Sequence, residues 1–325
     1  MRARRGAALL AGLWLVVAIA AVSLQFSIDA HERRRLGTLA SERGQQRALA
    51  QGALALVQAR LEQAIRVGPT NTSGAMAILA SSDPWHGIDS LYSGPVLVDS
   101  TEVEVEAHDL GEKLNLNRMS EQQLQSFFSF LLQDFSKSQQ LAQAIMDWRD
   151  ADSIPRPDGA ERDAYIKAGN LALPTNGPFR DISELADVMG VTPEIFAAAR
   201  PYLTTLGTSQ VNLNDAPIPV LRALPGMTDA TLNRILQLRS QGRRITSVSE
   251  IFTQSVGGGR GRGRGVPGTL QSPAVIAQIQ NQAAVNTSQI ELTITARTGP
   301  QSSPTKLSAV VARQGNNAVV RFKSW

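Results

Sequence analysis

The chain has no cysteine among its 325 residues. Disulfides and cysteine-liganded metal sites are therefore excluded, and the chain gains nothing from an oxidising compartment. Histidine is nearly as scarce. His31, His86 and His108 are scattered, with no zinc-like spacing to a second histidine or to a carboxylate, and read as ordinary polar residues. No nucleophile elbow, paired His/Asp or phosphate loop stands out, so no enzyme is expected. A general basic surface is lacking too. The formal net charge is +4, and much of it sits in the N-terminal arginines and in the run GGGRGRGRG at 257–265. No strand precedes that run, and Val266-Pro267-Gly268 follows where a phosphate-binding helix would begin, so it fails as a dinucleotide fingerprint and reads as a solvated insertion.

What the chain does have is one long apolar run. Arg2, Arg4 and Arg5 precede Gly6, and AALLAGLWLVVAIAAVSLQFSI then occupies 7–28 without a charge. Roughly 20 apolar residues suffice for a helix to cross a bilayer. The arginines in front place the N-terminus in the cytoplasm and the bulk of the chain outside. Ser23-Leu24-Gln25 is a poor site for an ordinary signal peptidase. A basic cluster, a glycine and an uninterrupted apolar run resemble a type IV prepilin leader. That resemblance implies cleavage between Gly6 and Ala7 by a prepilin peptidase, with the helix kept on the mature protein. The plain alternative is an unprocessed single-span anchor.

Residues 29–66 are rich in Ala, Leu, Gln, Arg and Glu, which favour helix, with local weakening at Gly37, Gly44 and Gly52 and a stop at Gly68-Pro69. Leu49, Ala53, Val57 and Leu61 form an i, i+4 stripe suited to packing against partner helices. Val103, Val105 and Ala107 alternate with Glu102, Glu104 and Glu106, which predicts a half-buried strand, and Val96-Leu97-Val98 is a second candidate. From Ser120 the period changes. Leu124, Phe127, Phe128, Leu131, Leu132 and Phe135 predict one apolar helix face, and further short helices follow to Phe252. Strands return with Ile290, Leu292, Ile294 and Ala296, and a hairpin is expected about the turn 314–317. The expected fold class is α+β, with a pilin-like long N-terminal helix packed on a small antiparallel sheet and a large all-helical domain inserted in that sheet.

Several segments then carry a specific resemblance. EKLNLNRM (112–119), DWRDADSIPRPDGAERDAYI (147–166), PFRDISELADVMGVTPEIF (178–196) and VNLNDAPIPVLRALPGM (211–227) occur in an order that is similar to protein K of the general secretion pathway, the large minor pseudopilin of type II secretion. The resemblance implies a leader at 1–6, a transmembrane segment at 7–28 and the periplasmic part of the helix at 29–68. It implies a first part of the pilin-like domain at 69–110, an inserted helical domain at 111–255, a Gly/Arg-rich loop and connector at 256–285, and C-terminal strands at 286–325. It further implies a single-pass protein of the bacterial inner membrane, placed at the tip of a short periplasmic pseudopilus with other minor pseudopilins and supporting export of folded proteins. Most pilin-class subunits carry glutamate at the fifth mature position, which here is Ala11. That family shares the absence.

Two ligand chemistries remain open at this level. Asp147, Asp150, Asp152 and Glu161 gather carboxylates around a Pro/Gly loop. Hard oxygen ligands there suit Ca²⁺, a reading aided by the family's use of calcium in pseudopilin loops, although the spacing is not that of an EF-hand. The alternative is a solvated acidic loop with Arg149, Arg156 and Arg162 as partners. Leu224-Pro225-Gly226-Met227-Thr228 resembles half of a helix-hairpin-helix. Together with the Gly/Arg run it is what a DNA-binding pilin-like protein of a type IV pilus or competence system would use. Asp229 would repel phosphate, and no nucleic acid is expected as partner.

The leader reading has a direct consequence. Gly6→Leu places a bulky side chain at the scissile position, so the variant should retain residues 1–6 where the wild type loses them. Mass spectrometry of the membrane-extracted protein decides it, and an intact wild-type leader removes the prepilin reading.

Overall fold

The computed structural model describes residues 2–67, 83–88, 92–252, 272–299 and 302–325, excluding the side chains of 2–11 and of Ala18. Gly6 and Ala7 lie on helical backbone, while their side chains, that of Ala11 and the whole run at 257–265 fall outside the described residues. Helix α1 (Arg2–Val67) has 66 residues, or about 100 Å at 1.5 Å per residue. Its apolar residues between Leu13 and Ile28 stand exposed. Among the described residues it is the one helix long and apolar enough to cross a membrane, with a mean hydropathy of 1.9 in its most apolar stretch. From Gln46 onward its character changes. Gln46, Ala50, Ala53, Leu54, Val57 and Leu61 are buried, at the three- and four-residue spacing of one helix face.

Nine strands follow among the described residues: β1 (Gly94–Val98), β2 (Thr101–Asp109), β3 (Leu114–Asn115), β4 (Leu203–Thr204), β5 (Val211–Asn212), β6 (Ala283–Ala284), β7 (Gln289–Ala296), β8 (Thr305–Gln314) and β9 (Asn317–Ser324). Five of them form one antiparallel sheet in the order β1-β2-β7-β8-β9. Alternation decides its faces. Val103, Val105, Ala107, Ile290, Leu292, Ile294, Leu307, Ala309 and Val311 meet α1 in one core with Trp85, while Glu102, Glu104 and Glu106 face solvent. Gly52 on α1 explains how close the helix comes: a Cβ there would lie 2.8 Å from Val98 Cγ1. The glycine that weakens the helix is what admits the end of β1.

The helical body enters between β2 and β7, as the patterning predicts. It contains α2 (Glu121–Leu132), α3 (Phe135–Arg149), α4 (Arg162–Lys167), α5 (Pro193–Ala199), α6 (Ile218–Arg222), α7 (Asp229–Ser240) and α8 (Pro273–Gln282), with 3₁₀ turns between them. Ser120 and Gln123 close a capping box at the start of α2. Phe135 departs from expectation. Gln133 takes a left-handed conformation that ends α2, and Phe135 opens α3 with 67% of its surface exposed. The insert also extends beyond 255. Ile279 of α8 and Ala283 lie in the same core as Leu124, Phe127 and Trp148, and β6 pairs in parallel with β5. A Ser272 N-cap followed by Pro273 begins that last helix, a start signal that the Gly/Arg run before it obscures.

The two bodies meet where the chain crosses between them. Asp109 ends β2 and is buried. Its Oδ1 accepts from Gly111 N at 2.7 Å, and its Oδ2 from Asn212 Nδ2 and Thr287 Oγ1, both at 2.9 Å. Asp83, also buried, accepts from Thr287 N at 2.7 Å and lies 3.5 Å from Arg244 Nη2. Thr287, on the return into β7, is therefore gripped by two carboxylates.

The stripe expected to face partner helices is corrected here. Ala53, Val57 and Leu61 are buried under the protein's own sheet, and Leu49 packs at the edge of the same core. Periodicity identifies an apolar face, not what covers it. Val57→Glu should accordingly place an unpaired charge in the sheet core. Hydrogen exchange should accelerate in β7 and β8 and stay unchanged in α2 and α3, whose core shares no residue with it. Unaltered protection in the sheet would show that Val57 does not pack there.

Candidate functional sites: an acidic loop and the free face of the long helix

The acidic loop is built around a tryptophan. Trp148, near the end of α3, packs on Tyr165 at 5.5 Å and stacks on Phe179 at 6.2 Å between ring centroids. The Tyr165 hydroxyl accepts from Met189 N at 2.8 Å, and burial pushes its pKa up to about 12. This wedge fixes α4 and therefore its N-cap residue, Glu161. The Glu161 carboxylate does not cap the helix. It is buried, and neither of its oxygens has a hydrogen-bond partner.

One ligand oxygen from each of Asp150, Asp152 and Glu161 can lie within 4.8 Å of the others. That is the width expected across a calcium shell with ligand distances of roughly 2.3–2.6 Å. Burial first, then the charges of Asp147 and Asp150, hold the Glu161 carboxyl above the usual carboxylate range. Asp150 Oδ1 is also buried without a partner. An all-carboxylate set without histidine suits a hard cation.

Asp147 does not join the group. It is fully buried and taken by Arg156, whose Nη1 lies 2.5 Å from Asp147 Oδ1 and whose backbone N lies 3.1 Å from Oδ2. The same Nη1 reaches Asp150 Oδ2 at 2.5 Å. Burial works against the Arg156 charge, but the hydrogen bonds it donates to Asp150 and Asp147 outweigh it and its pKa is raised. Arg149 turns away and donates to the carbonyls of Leu116 and Met119. Burial, then Arg156, lowers its pKa to about 10. The two sequence readings thus divide the loop: Asp147 is a partnered carboxylate, and Asp150, Asp152 and Glu161 are a cation-shaped set.

The second surface is on α1. Ala48, Gln51, Ala55 and Ala59 are exposed at i, i+3, i+7 and i+11, with Leu56 at their border, 41% exposed. The side chains are small, so another helix can approach closely. Sequence periodicity missed this face because alanine carries little hydrophobic signal.

The hairpin-like segment has a packing role. Gly226 has φ 78°, and a Cβ there would fall 2.5 Å from Val275 Cγ1 of α8. Its open side is filled by this chain. Thr228 caps α7, and Asp229 pairs with Arg222.

A family model described as type II secretion system protein K matches residues 111–208, within the helical insert. Type II secretion system protein K of Dickeya chrysanthemi is 26% identical over 288 residues, covering 70% of this chain and 77% of the relative. That of Pectobacterium carotovorum subsp. carotovorum is 27% identical over 114 residues, covering 33% of this chain and 35% of the relative, so this match spans about a third of that protein's length. Among solved structures, a chain from the GspK-GspI-GspJ complex of the enterotoxigenic Escherichia coli type 2 secretion system superposes with a TM-score of 0.59 at 16% identity, covering 91% of this chain and 98% of that one. At that identity the likeness establishes a shared fold.

Calcium at about 100 times its Kd should stabilise the protein by about 2.7 kcal/mol through mass action. Glu161→Gln should abolish that gain in thermal unfolding. In chelator the sign reverses. A carboxylate with a raised folded pKa penalises the native state above that pKa, so Glu161→Gln should melt higher than wild type at neutral pH, and the difference should shrink as pH falls. A melting temperature indifferent to calcium, chelator and the substitution leaves only a solvated acidic loop.

Proposed function

We propose that this chain belongs to the type II secretion system protein K family and is a minor pseudopilin, a structural subunit held in the inner membrane by α1 with its bulk in the periplasm. The observation that carries the reading is a helical insert, matched by the family over 111–208, mounted on a sheet and a membrane-length helix. The role is structural rather than catalytic. α1 anchors and aligns the subunit, the sheet holds the outer half of α1 rigid, and the insert caps the assembly.

Position at the tip follows from size. Pilin-class helices pack side by side with a small rise per subunit, so each head must leave room for the next. A body running from Leu114 to Ala283 is easiest to place where nothing stands above it. Ala11 supports the same position, since it offers no carboxylate for contact to a subunit above. The complex in which the solved relative was crystallised contains two further subunits, named GspI and GspJ. By analogy, this chain assembles with the other minor pseudopilins of its own system, through the free face of α1 and after cleavage of its leader by the prepilin peptidase. Asp150, Asp152 and Glu161 hold a calcium ion that ties the loop after α3 to the start of α4.

The test is assembly. The protein without its membrane segment should be monomeric alone and form a defined heteromeric complex with the minor pseudopilins encoded beside it. Ala55→Glu, at an exposed position, should weaken that complex by about tenfold or more without changing the melting temperature. Homopolymers of this chain alone, or indifference to those partners, would overturn the assignment.

A further inference from the structure

The sheet is electrically polarised along its strand order. Residues 94–109, which form β1 and β2, contain Asp99, Glu102, Glu104, Glu106 and Asp109 and no Lys or Arg. All but Asp109 are exposed. Residues 297–325, which include β8 and β9, contain Arg297, Lys306, Arg313, Arg321 and Lys323 and no Asp or Glu. One edge of the head is therefore acidic and the opposite edge basic.

The two edges border α1 from opposite sides. β1 reaches it at Gly52, through Val98. β9 reaches it through the Ala318 carbonyl, which accepts from Gln58 Nε2 at 2.7 Å. Between these contacts lies the free face of Ala48, Gln51, Ala55 and Ala59. A partner helix seated there carries its head against one of the two edges.

The basic edge has the makings of an interface. β9 pairs with β8, and no described strand covers its other side. Phe322 is 43% and Trp325 46% exposed. The Trp325 ring lies 5.4 Å from the Arg47 guanidinium of α1 and 5.4 Å from Lys323 Nζ. An exposed tryptophan between two cations is of the residue types that dominate protein interfaces. A membrane surface is out of reach. Arg47 lies 19 residues beyond Ile28, about 28 Å along the helix, against a screening length of about 8 Å. Arg321 and Lys323 also repel a second basic edge, so they select among partners.

We propose that the seam of α1 and β9, formed by Arg47, Lys323 and Trp325, docks an acidic surface on the head of a neighbouring, non-identical subunit. This deepens the pseudopilin reading and rests on it. The Trp325 ring supplies apolar contact, and the cations supply registration and faster encounter.

The experiment measures binding of the minor pseudopilins encoded beside this chain, by calorimetry, to wild type, to Trp325→Ala and to Arg47→Glu/Lys323→Glu. All three substituted side chains are exposed, and equal melting temperatures confirm intact folds. Trp325→Ala should weaken binding by about tenfold. The charge reversal should do the same and remove the salt dependence seen in wild type between about 50 and 300 mM NaCl. A photo-crosslinker at position 325 should capture an acidic segment of a partner head. Wild-type complex formation with both variants within about twofold overturns the docking surface and leaves the pseudopilin reading standing. No wild-type complex at all overturns both. Loss of duplex DNA binding in the variants, with partner binding unchanged, assigns the seam to nucleic acid and overturns the proposal.

Discussion

Everything beyond the apolar half of α1 depends on how the chain crosses at Thr287. A large helical body has been set between two neighbouring strands, so its entry and exit must lie one strand spacing apart, about 5 Å. Asp109 and Ile290 are direct partners in the β2–β7 ladder, which meets that condition. Holding it takes more than the ladder, because the insert could still pivot on two thin connections. Asp83 takes the Thr287 amide, Asp109 takes its hydroxyl, and Asn212 of the insert donates to the same Asp109 oxygen. Burial raises the Asp109 pKa, so its charge is costly here. The hydrogen bonds it accepts offset part of that cost, and each buried group left unpaired would cost about 1–3 kcal/mol.

Helix α1 obeys a second constraint, that one helix serves two solvents. Between Leu13 and Ile28 its described apolar side chains stand exposed, as hydrocarbon surroundings permit. From Gln46 onward only one face is apolar and buried. The residues between them, from Asp29 to Gln45, carry charge on many sides and are mostly exposed. Such a stretch neither enters the membrane nor packs on the sheet. It is a spacer whose length sets the separation of the apolar run from the sheet.

Much of this was legible in the residues. The alternation of Val103, Val105 and Ala107 with glutamates, the change of period at Ser120 and the hairpin turn at 314–317 each state a local geometry that tertiary contacts had no reason to override. The order strand, helices, strand then implied an insertion. What was illegible depended on contacts between distant segments. Nothing near Asp147 says that Arg156 will neutralise it and leave Asp150, Asp152 and Glu161 as the cation-shaped set. Val57 looked available to a partner because a helix face carries no label for what covers it. The helix at 273–282 is short and follows a Gly/Arg run, so its membership in the insert appears only when Ile279 is seen in the core.

The two cores share no buried residue, and this separates the duties of the molecule. The sheet and α1 hold each other in place, while the insert need only keep its ends together. The acidic loop belongs wholly to the insert, held by Trp148, Tyr165 and Phe179. A change there, such as an ion neutralising Glu161, reaches the sheet and α1 through the contacts that join the two bodies: the hydrogen bonds at Asp109 and Thr287, the pair of Asp83 with Arg244, and the bond from Thr208 N to Gln289 Oε1. The same clamp that lets a large body ride on a small sheet therefore also couples that body to the sheet against which α1 packs.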